Sequence, residues 1–182
     1  GTAEPLVSRK YTVTSFANGE LYAFKNDTGR PLWKSVLALP QGRTELERLV
    51  DSDGQPVLDG DRIYAVAYQG KLFALNAVDG QEIWSIDVSS FNQLAVGFGQ
   101  VFATTDKGEV VALDKASGKE LWRNEDFLYR RLGSPMVFDQ FVLSADFEGY
   151  IHVLSVSDGE VMARKYPDSE GVMGKMHVEG DM

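Results

Sequence analysis

The strongest constraint on the fold is a motif that recurs four times along the chain. Its clearest copy is Ala-Leu-Asp-Lys-Ala-Ser-Gly-Lys-Glu-Leu-Trp over residues 112–122, and further copies occupy residues 23–33, 74–84 and 153–163. Self-similarity at such a spacing is typical of repeat architectures, in which one structural unit is copied along the chain. We therefore interpret the chain as a series of equivalent units.

The register of the repeat is set by glycine and tryptophan. A second glycine follows the first glycine of each unit after ten residues, at Gly29, Gly80, Gly118 and Gly159. The residue four positions later is tryptophan in three units and alanine in the last, as Trp33, Trp84, Trp122 and Ala163. All three tryptophans of the chain thus share one repeat position. We expect each indole to pack between neighbouring units, with its N–H donating to a carbonyl.

Each unit reads as four short strands joined by turns, because glycine supplies the positive φ that hairpin turns need. The third strand is apolar on both faces, at residues 21–24, 72–75, 110–113 and 151–154, so we expect it to be covered on both sides. Successive second glycines lie 51, 38 and 41 residues apart. The sequence therefore predicts an all-β fold, a β-propeller of four-stranded antiparallel blades, with about four blades present.

The repeat also predicts where the blades begin and end. The expected segments are blade 1 at 4–34, a long connector at 35–55, blade 2 at 56–88, blade 3 at 93–125, blade 4 at 134–165 and the first strand of a further blade at 174–182. Thr44 and Glu47 fit a capping box, which predicts a helical turn in the long connector. Because the last residues match a blade opening, we expect this chain to be a piece of a longer propeller.

Composition and charge argue against several classes of function. A net charge of -9 repels phosphate, which makes nucleic acid and anionic lipid poor partners. The chain has no cysteine, hence no disulfide and no thiolate chemistry. It has no apolar run long enough to form a membrane-spanning helix.

No pattern in the sequence predicts a catalytic, cofactor or metal site. His152 and His177 have no cysteine partners, and His152 occupies a position that is apolar or aromatic in the other units, which favours a packed core histidine. Residues 97–99 match part of a dinucleotide fingerprint, but no helix is predicted to follow them. Carboxylate pairs such as Asp51 and Asp53 are ordinarily solvated, here in a turn before Pro56.

The long connector and a second connector at residues 126–134 are the candidates for a binding role, because ordered connectors often carry function. The repeat motif resembles the tryptophan-docking repeat of pyrroloquinoline-quinone propellers. Two families use that repeat: the quinoprotein alcohol dehydrogenases, which bind the quinone and calcium, and the BamB family of the outer-membrane β-barrel assembly machinery, which has no cofactor. Residues 44–53, 67–75 and 131–135 resemble the BamB family specifically.

The BamB resemblance implies a non-catalytic scaffold without cofactor or metal, lipid-anchored at the periplasmic face of the outer membrane. Its propeller would have eight blades, of which this chain forms roughly half. The implied partners are the POTRA domains of BamA and unfolded outer-membrane protein segments held at strand edges. The implied contact residues are Arg48, Leu49, Asp51 and Asp53. Carboxylates on an ordered loop can pair with arginine in bidentate fashion, and Leu49 can serve as an apolar anchor.

Two alternatives stay open at this point: a fragment of a quinone-dependent dehydrogenase, and an extracytoplasmic sensor or binding module with the same repeat. The short chain and the lack of an evident calcium ligand cluster argue against the dehydrogenase. An incomplete ring would also expose blade faces, so two copies are expected to pair as a homodimer that completes a ring.

Overall fold

Strands make up all the regular structure in the part of the chain described by the computed structural model, residues 3–16, 19–37, 54–67 and 70–166. Sixteen strands form four sheets there, and no helix in these ranges could cross a membrane. The helical turn predicted at Thr44 and the further strand predicted at 174–182 lie outside the described residues. The chain divides into two compact units, residues 1–94 and 95–182.

The first unit holds two antiparallel four-stranded sheets whose strands follow one another in sequence order. Their strands are β1 Leu6–Val7, β2 Tyr11–Ser15, β3 Glu20–Lys25 and β4 Pro31–Val36, then β5 Val57–Asp59, β6 Arg62–Val66, β7 Leu72–Asn76 and β8 Glu82–Ile86. Each sheet is therefore a simple up-and-down meander, as expected of a propeller blade.

The second unit repeats this arrangement with two further meanders. Their strands are β9 Ala95–Gly97, β10 Gln100–Thr104, β11 Val110–Asp114 and β12 Glu120–Asn124, then β13 Met136–Phe138, β14 Phe141–Ala145, β15 Ile151–Ser155 and β16 Val161–Lys165. Residues 97–99, which match part of a dinucleotide fingerprint, form the hairpin between β9 and β10, where Phe98 and Gly99 both have positive φ. That geometry fits a type I′ turn, so the match has no binding meaning.

The turn between the third and fourth strands has the same geometry in all four sheets. The N–H of its glycine donates to the carbonyl four residues earlier at 2.8 to 3.0 Å, and the glycine φ lies between 64° and 74°. These glycines are Gly29, Gly80, Gly118 and Gly159. Left-handed φ at this position explains why the repeat requires glycine.

A β-bulge between the third and fourth strands recurs at one position in every sheet. The residue before it faces the tryptophan position across the two strands, and in three sheets that residue is alanine, as in Ala112 opposite Trp122. In the last sheet Val153 faces Ala163 instead. Where alanine replaces tryptophan, valine thus replaces the facing alanine. The combined side-chain volume of the pair therefore falls less than it would with two alanines.

The expectation that every third strand is covered on both faces is correct for two of the four. Residues 72–75 of β7 and 110–113 of β11 are buried without interruption. In β3 and β15, buried residues alternate with half-buried ones, which means that only one face of these strands is fully covered. Pro56 and Pro135 directly precede the first strands β5 and β13, and proline cannot donate to a strand ladder.

Candidate functional site

The predicted contact residues Arg48, Leu49, Asp51 and Asp53 lie outside the described residues. The chain that follows them is held firmly against the body of the first unit. Gly54 is buried, and a Cβ added there would lie 2.6 Å from the carbonyl oxygen of Asn92. Gln55 donates from Nε2 to the carbonyl of Pro5 at 3.2 Å. The C-terminal end of the long connector, at Gly54 and Gln55, is therefore fixed in place.

Two of the three repeat tryptophans, Trp33 and Trp122, bind to the next sheet of their own unit. Trp33 donates from Nε1 to the carbonyl of Ala77 at 3.2 Å, and its ring lies against Gly80, where a Cβ would come within 2.4 Å of the indole. Trp122 makes equivalent contacts in the second unit. Its Nε1 donates to the carbonyl of Val156 at 2.9 Å, and its ring lies against Gly159. A glycine without a side chain is needed beneath each of these two indoles.

A contact between the indole and a second aromatic ring also recurs. The Trp84 and Tyr64 rings have centroids 5.9 Å apart at 43°, and the Trp122 and Phe102 rings have centroids 5.9 Å apart at 41°. Both distances are in the range of favourable aromatic pairs. The tryptophans are therefore structural residues within the core, with at most 9% of their surface exposed.

The second connector, at residues 126–134, is anchored by buried residues at both ends. Phe127 and Leu132 are buried, and the N–H of Tyr129 donates to the carbonyl of Lys107 at 2.9 Å. A Cβ at Gly108 would lie 2.4 Å from the carbonyl oxygen of Phe127, so the connector packs directly on that turn. These contacts fix the path of the loop.

Asp146, at the end of β14, ties this connector to the following hairpin. Its Oδ1 accepts the backbone N–H groups of Glu148 and Tyr150, both at 3.0 Å. Its Oδ2 accepts from Arg130 at 3.1 Å and lies 2.8 Å from Nε2 of His152. The carboxylate and the imidazole are both buried, whereas Arg130 also reaches the exposed carboxylate of Glu148 at 2.7 Å. One buried carboxylate is thus satisfied by four donors.

The charge states of this cluster follow from burial and hydrogen bonding. Burial lowers the pKa of His152, and the hydrogen bond to Asp146 opposes that shift without cancelling it. For Asp146, burial acts to raise the pKa, but the hydrogen bonds from His152, from the N–H of Tyr150 and from Arg130 outweigh it and lower the pKa. The pair is therefore a neutral imidazole, which donates from Nε2, beside an ionised carboxylate. His152 is a core histidine, as the sequence indicates.

The outer side of the connector carries aromatic and cationic side chains. Tyr129 and Arg131 adopt left-handed backbone conformations, with φ of 67° and 54°, which are unusual for such residues. The Tyr129 side chain is 90% exposed, and the guanidinium carbon of Arg131 lies 5.0 Å from the ring centroid of the half-exposed Phe147. Tyrosine, arginine and phenylalanine are the residues enriched at protein interfaces. This rigid loop is suited to contact with another protein.

No group of three or more possible metal ligands occurs in the part of the chain that the structure describes. The Asp146 cluster itself escaped the sequence analysis. The sequence does mark this position. Asp146 lies three residues before the first glycine of its repeat, where the other three repeats have Phe16, Ala67 and Thr105. A carboxylate at a position that is otherwise uncharged requires a partner, and Arg130 lies in the nearest connector.

Comparison with known proteins places this geometry in context. A family model described as outer membrane protein assembly factor BamB matches residues 1–124 and 106–182. The protein of that name from Pseudomonas aeruginosa is 38% identical over 99% of this chain and 47% of its own length. The one from Aliivibrio fischeri is 47% identical over 86% of this chain and 40% of its own length. The chain spans about half the length of the curated relatives it matches.

A solved structure agrees with the sequence matches. The crystal structure of BamB from Moraxella catarrhalis is similar to this chain with a TM-score of 0.85 and 29% identity, over 91% of this chain and 50% of that one. Together with the four meanders, this similarity confirms the predicted fold class, an all-β propeller of four-stranded antiparallel blades.

Proposed function

This chain belongs to the BamB family of outer membrane protein assembly factors, and from that premise we propose that it is part of a non-catalytic scaffold of the outer-membrane β-barrel assembly complex. The scaffold acts at the periplasmic face of the outer membrane, where the whole protein is held by a lipid anchor. It binds the POTRA domains of BamA and holds extended segments of unfolded outer-membrane proteins at its strand edges.

The BamA contact is assigned to Arg48, Leu49, Asp51 and Asp53. The observation that carries this assignment is the anchoring of the long connector at Gly54, which has no room for a side chain beside Asn92. A contact loop held at its base loses less conformational freedom on binding than a free loop does, so more of the contact energy contributes to affinity. The two carboxylates are suited to pair with basic groups, and Leu49 supplies apolar area beside them.

The experiment measures binding of a purified POTRA fragment of BamA to the full chain by titration calorimetry. The variant carries Asp51→Arg and Asp53→Arg together, and we expect at least about a tenfold loss of affinity, because attraction becomes repulsion at the contact. The matched control carries Asp87→Arg and Glu160→Arg. These two carboxylates are exposed, and reversing them changes the net charge by the same amount.

An equal effect of both double variants would mean that only overall charge matters, and unchanged affinity in the first would remove the assigned contact altogether. Binding should also weaken as salt is raised, since exposed charge pairs at the rim of an interface act mainly on the association rate.

A further inference from the structure

A recurring ion pair links the third and fourth strands of two sheets, one in each unit. The residue after the tryptophan position is a cation in three of the four sheets, as Lys34, Arg123 and Arg164. Lys34 pairs with Glu20 at 2.9 Å. Arg123 pairs with Glu109 and with Glu120, both at 2.6 Å. In these two sheets the cation is neutralised by a carboxylate that the sheet itself provides.

Arg164 on β16 departs from this pattern. In its sheet Tyr150 directly precedes the third strand, β15. The equivalent position is Glu20 at the start of β3 and Glu109 directly before β11. The Arg164 guanidinium carbon lies 3.7 Å from the ring centroid of Tyr150, and the Tyr150 and Tyr166 rings lie 4.6 Å apart. Neither Arg164 nor its neighbour Lys165 makes an ion pair with a described residue. Within the described ranges, two adjacent cations are thus left without an ion pair in a chain whose net charge is -9.

The strand that carries these cations is also the most open of the outer strands. β16 is the last strand of its sheet, and among the described residues it pairs only with β15. Val161, Met162 and Tyr166 are 41%, 58% and 53% exposed. An edge strand of this kind offers unpaired backbone N–H and C=O groups to an incoming chain.

Arg164 and Tyr166 lie on one face, because both contact the Tyr150 ring. After the bulge, the alternation of β16 places Met162 on that face and Lys165 on the other. We propose that the free edge of β16 binds an extended polypeptide segment by strand addition, and that the segment presents apolar, acidic and apolar side chains in alternation to Met162, Arg164 and Tyr166. Charge complementarity selects this occupant, because Arg164 pairs with no carboxylate among the residues that the structure describes. The pattern reads the same in both directions, so it suits parallel and antiparallel pairing alike.

This inference rests on the segment-holding half of the proposed function and names the edge that performs it. The contact with BamA is independent of it. Alternating apolar residues are also typical of a segment that forms a strand in a folded sheet. The β16 edge therefore binds such segments in preference to helical or disordered ones.

The test measures fluorescence anisotropy of a short labelled peptide, in which leucine, glutamate and tyrosine alternate with threonine, on addition of the full chain. A second peptide replaces the glutamate with lysine. We expect Arg164→Glu to weaken binding of the glutamate peptide roughly tenfold and to strengthen binding of the lysine peptide. Lys119→Glu is the matched control, because Lys119 is an exposed cation on another hairpin. Arg164→Gln removes the charge while keeping most of the stem, in case the reversal impairs folding.

Backbone pairing is tested separately with a glutamate peptide that is N-methylated at alternate residues, which should bind at least tenfold more weakly. Equal binding of the methylated peptide, or binding unaffected by both Arg164 variants, would overturn the inference and leave the proposed scaffold role intact. Failure of every peptide to bind would overturn the segment-holding role as well. A dimer of the chain that Arg164→Glu dissociates in sedimentation would assign the edge to a second copy and also overturn the inference.

Discussion

The indole of Trp122 lies so close to Gly159 that a Cβ added to the glycine would be 2.4 Å from the ring atom Cε3. The same spacing separates Trp33 from Gly80 in the other unit. The turn glycine therefore has two separate duties in these pairs. It adopts a left-handed φ, and it leaves space for the indole of the preceding sheet.

Alanine substitution separates these two duties. Gly29 has a similar φ of 64°, but a Cβ there would meet no atom within 4 Å. We expect Gly29→Ala to cost about 1 kcal/mol of unfolding free energy, from the left-handed backbone alone. Gly159→Ala should cost about 2–4 kcal/mol, because displacement of the indole adds to the backbone term. Denaturant unfolding of both variants measures the difference, and equal losses would show that the indole contact is unimportant for stability.

Asp146 should be among the most sensitive polar residues of the second unit. Asp146→Asn places an amide N–H₂ or a weaker acceptor before Arg130 and His152 inside the protein, and we expect a loss of about 2–4 kcal/mol. Glu148→Gln removes only the exposed partner of Arg130 and should cost less than about 1 kcal/mol. Thermal unfolding of the two variants provides the measurement. Similar melting temperatures would contradict a structural role for the buried carboxylate.

The same cluster predicts how stability depends on pH. The pKa of His152 is lowered in the folded state, so between that value and the unfolded value of about 6.5 the unfolded chain binds more protons. Stability should therefore be constant, as far as His152 is concerned, above about pH 7, and should fall as the pH drops below about 6.5. Its slope from this residue is at most about 1.4 kcal/mol per pH unit.

The pKa of Asp146 is lowered too, so this residue adds a further loss of stability only when the pH falls below its unfolded value of about 3.9. His152→Gln keeps a side-chain N–H donor for Asp146 and cannot be protonated. Unfolding free energies measured from pH 7 to pH 5 should then be flatter in the variant than in the unmodified chain. Parallel curves would assign the titration to other groups.

The elements that the sequence could predict are those that recur in every four-stranded sheet. The glycine turns, the placement of the tryptophans and the four-strand meander all depend on local geometry, and each recurs at one register, so a single chain displays them several times. The Asp146 cluster occurs in only one of the four described sheets. Its partners Arg130 and His152 come from a connector and from the next strand, and no periodicity relates them.

The Arg164 edge was missed for a different reason. Its cation stands at the same repeat position as Lys34 and Arg123, which in isolation predicts another ion pair. The difference lies directly before the partner strand β15, where Tyr150 takes the place of a glutamate. Such a departure is visible only after the strands have been paired and equivalent positions compared across sheets.

Both observed tryptophan contacts point toward the C-terminus, from Trp33 to Ala77 and from Trp122 to Val156. A sheet of this kind is completed by residues that leave the ribosome after it. During vectorial synthesis, the Trp33 and Trp122 indoles must wait for the following turn before the ring is covered and the N–H is bonded. The order in which the chain emerges therefore determines which apolar surface stays open to chaperones, and for how long.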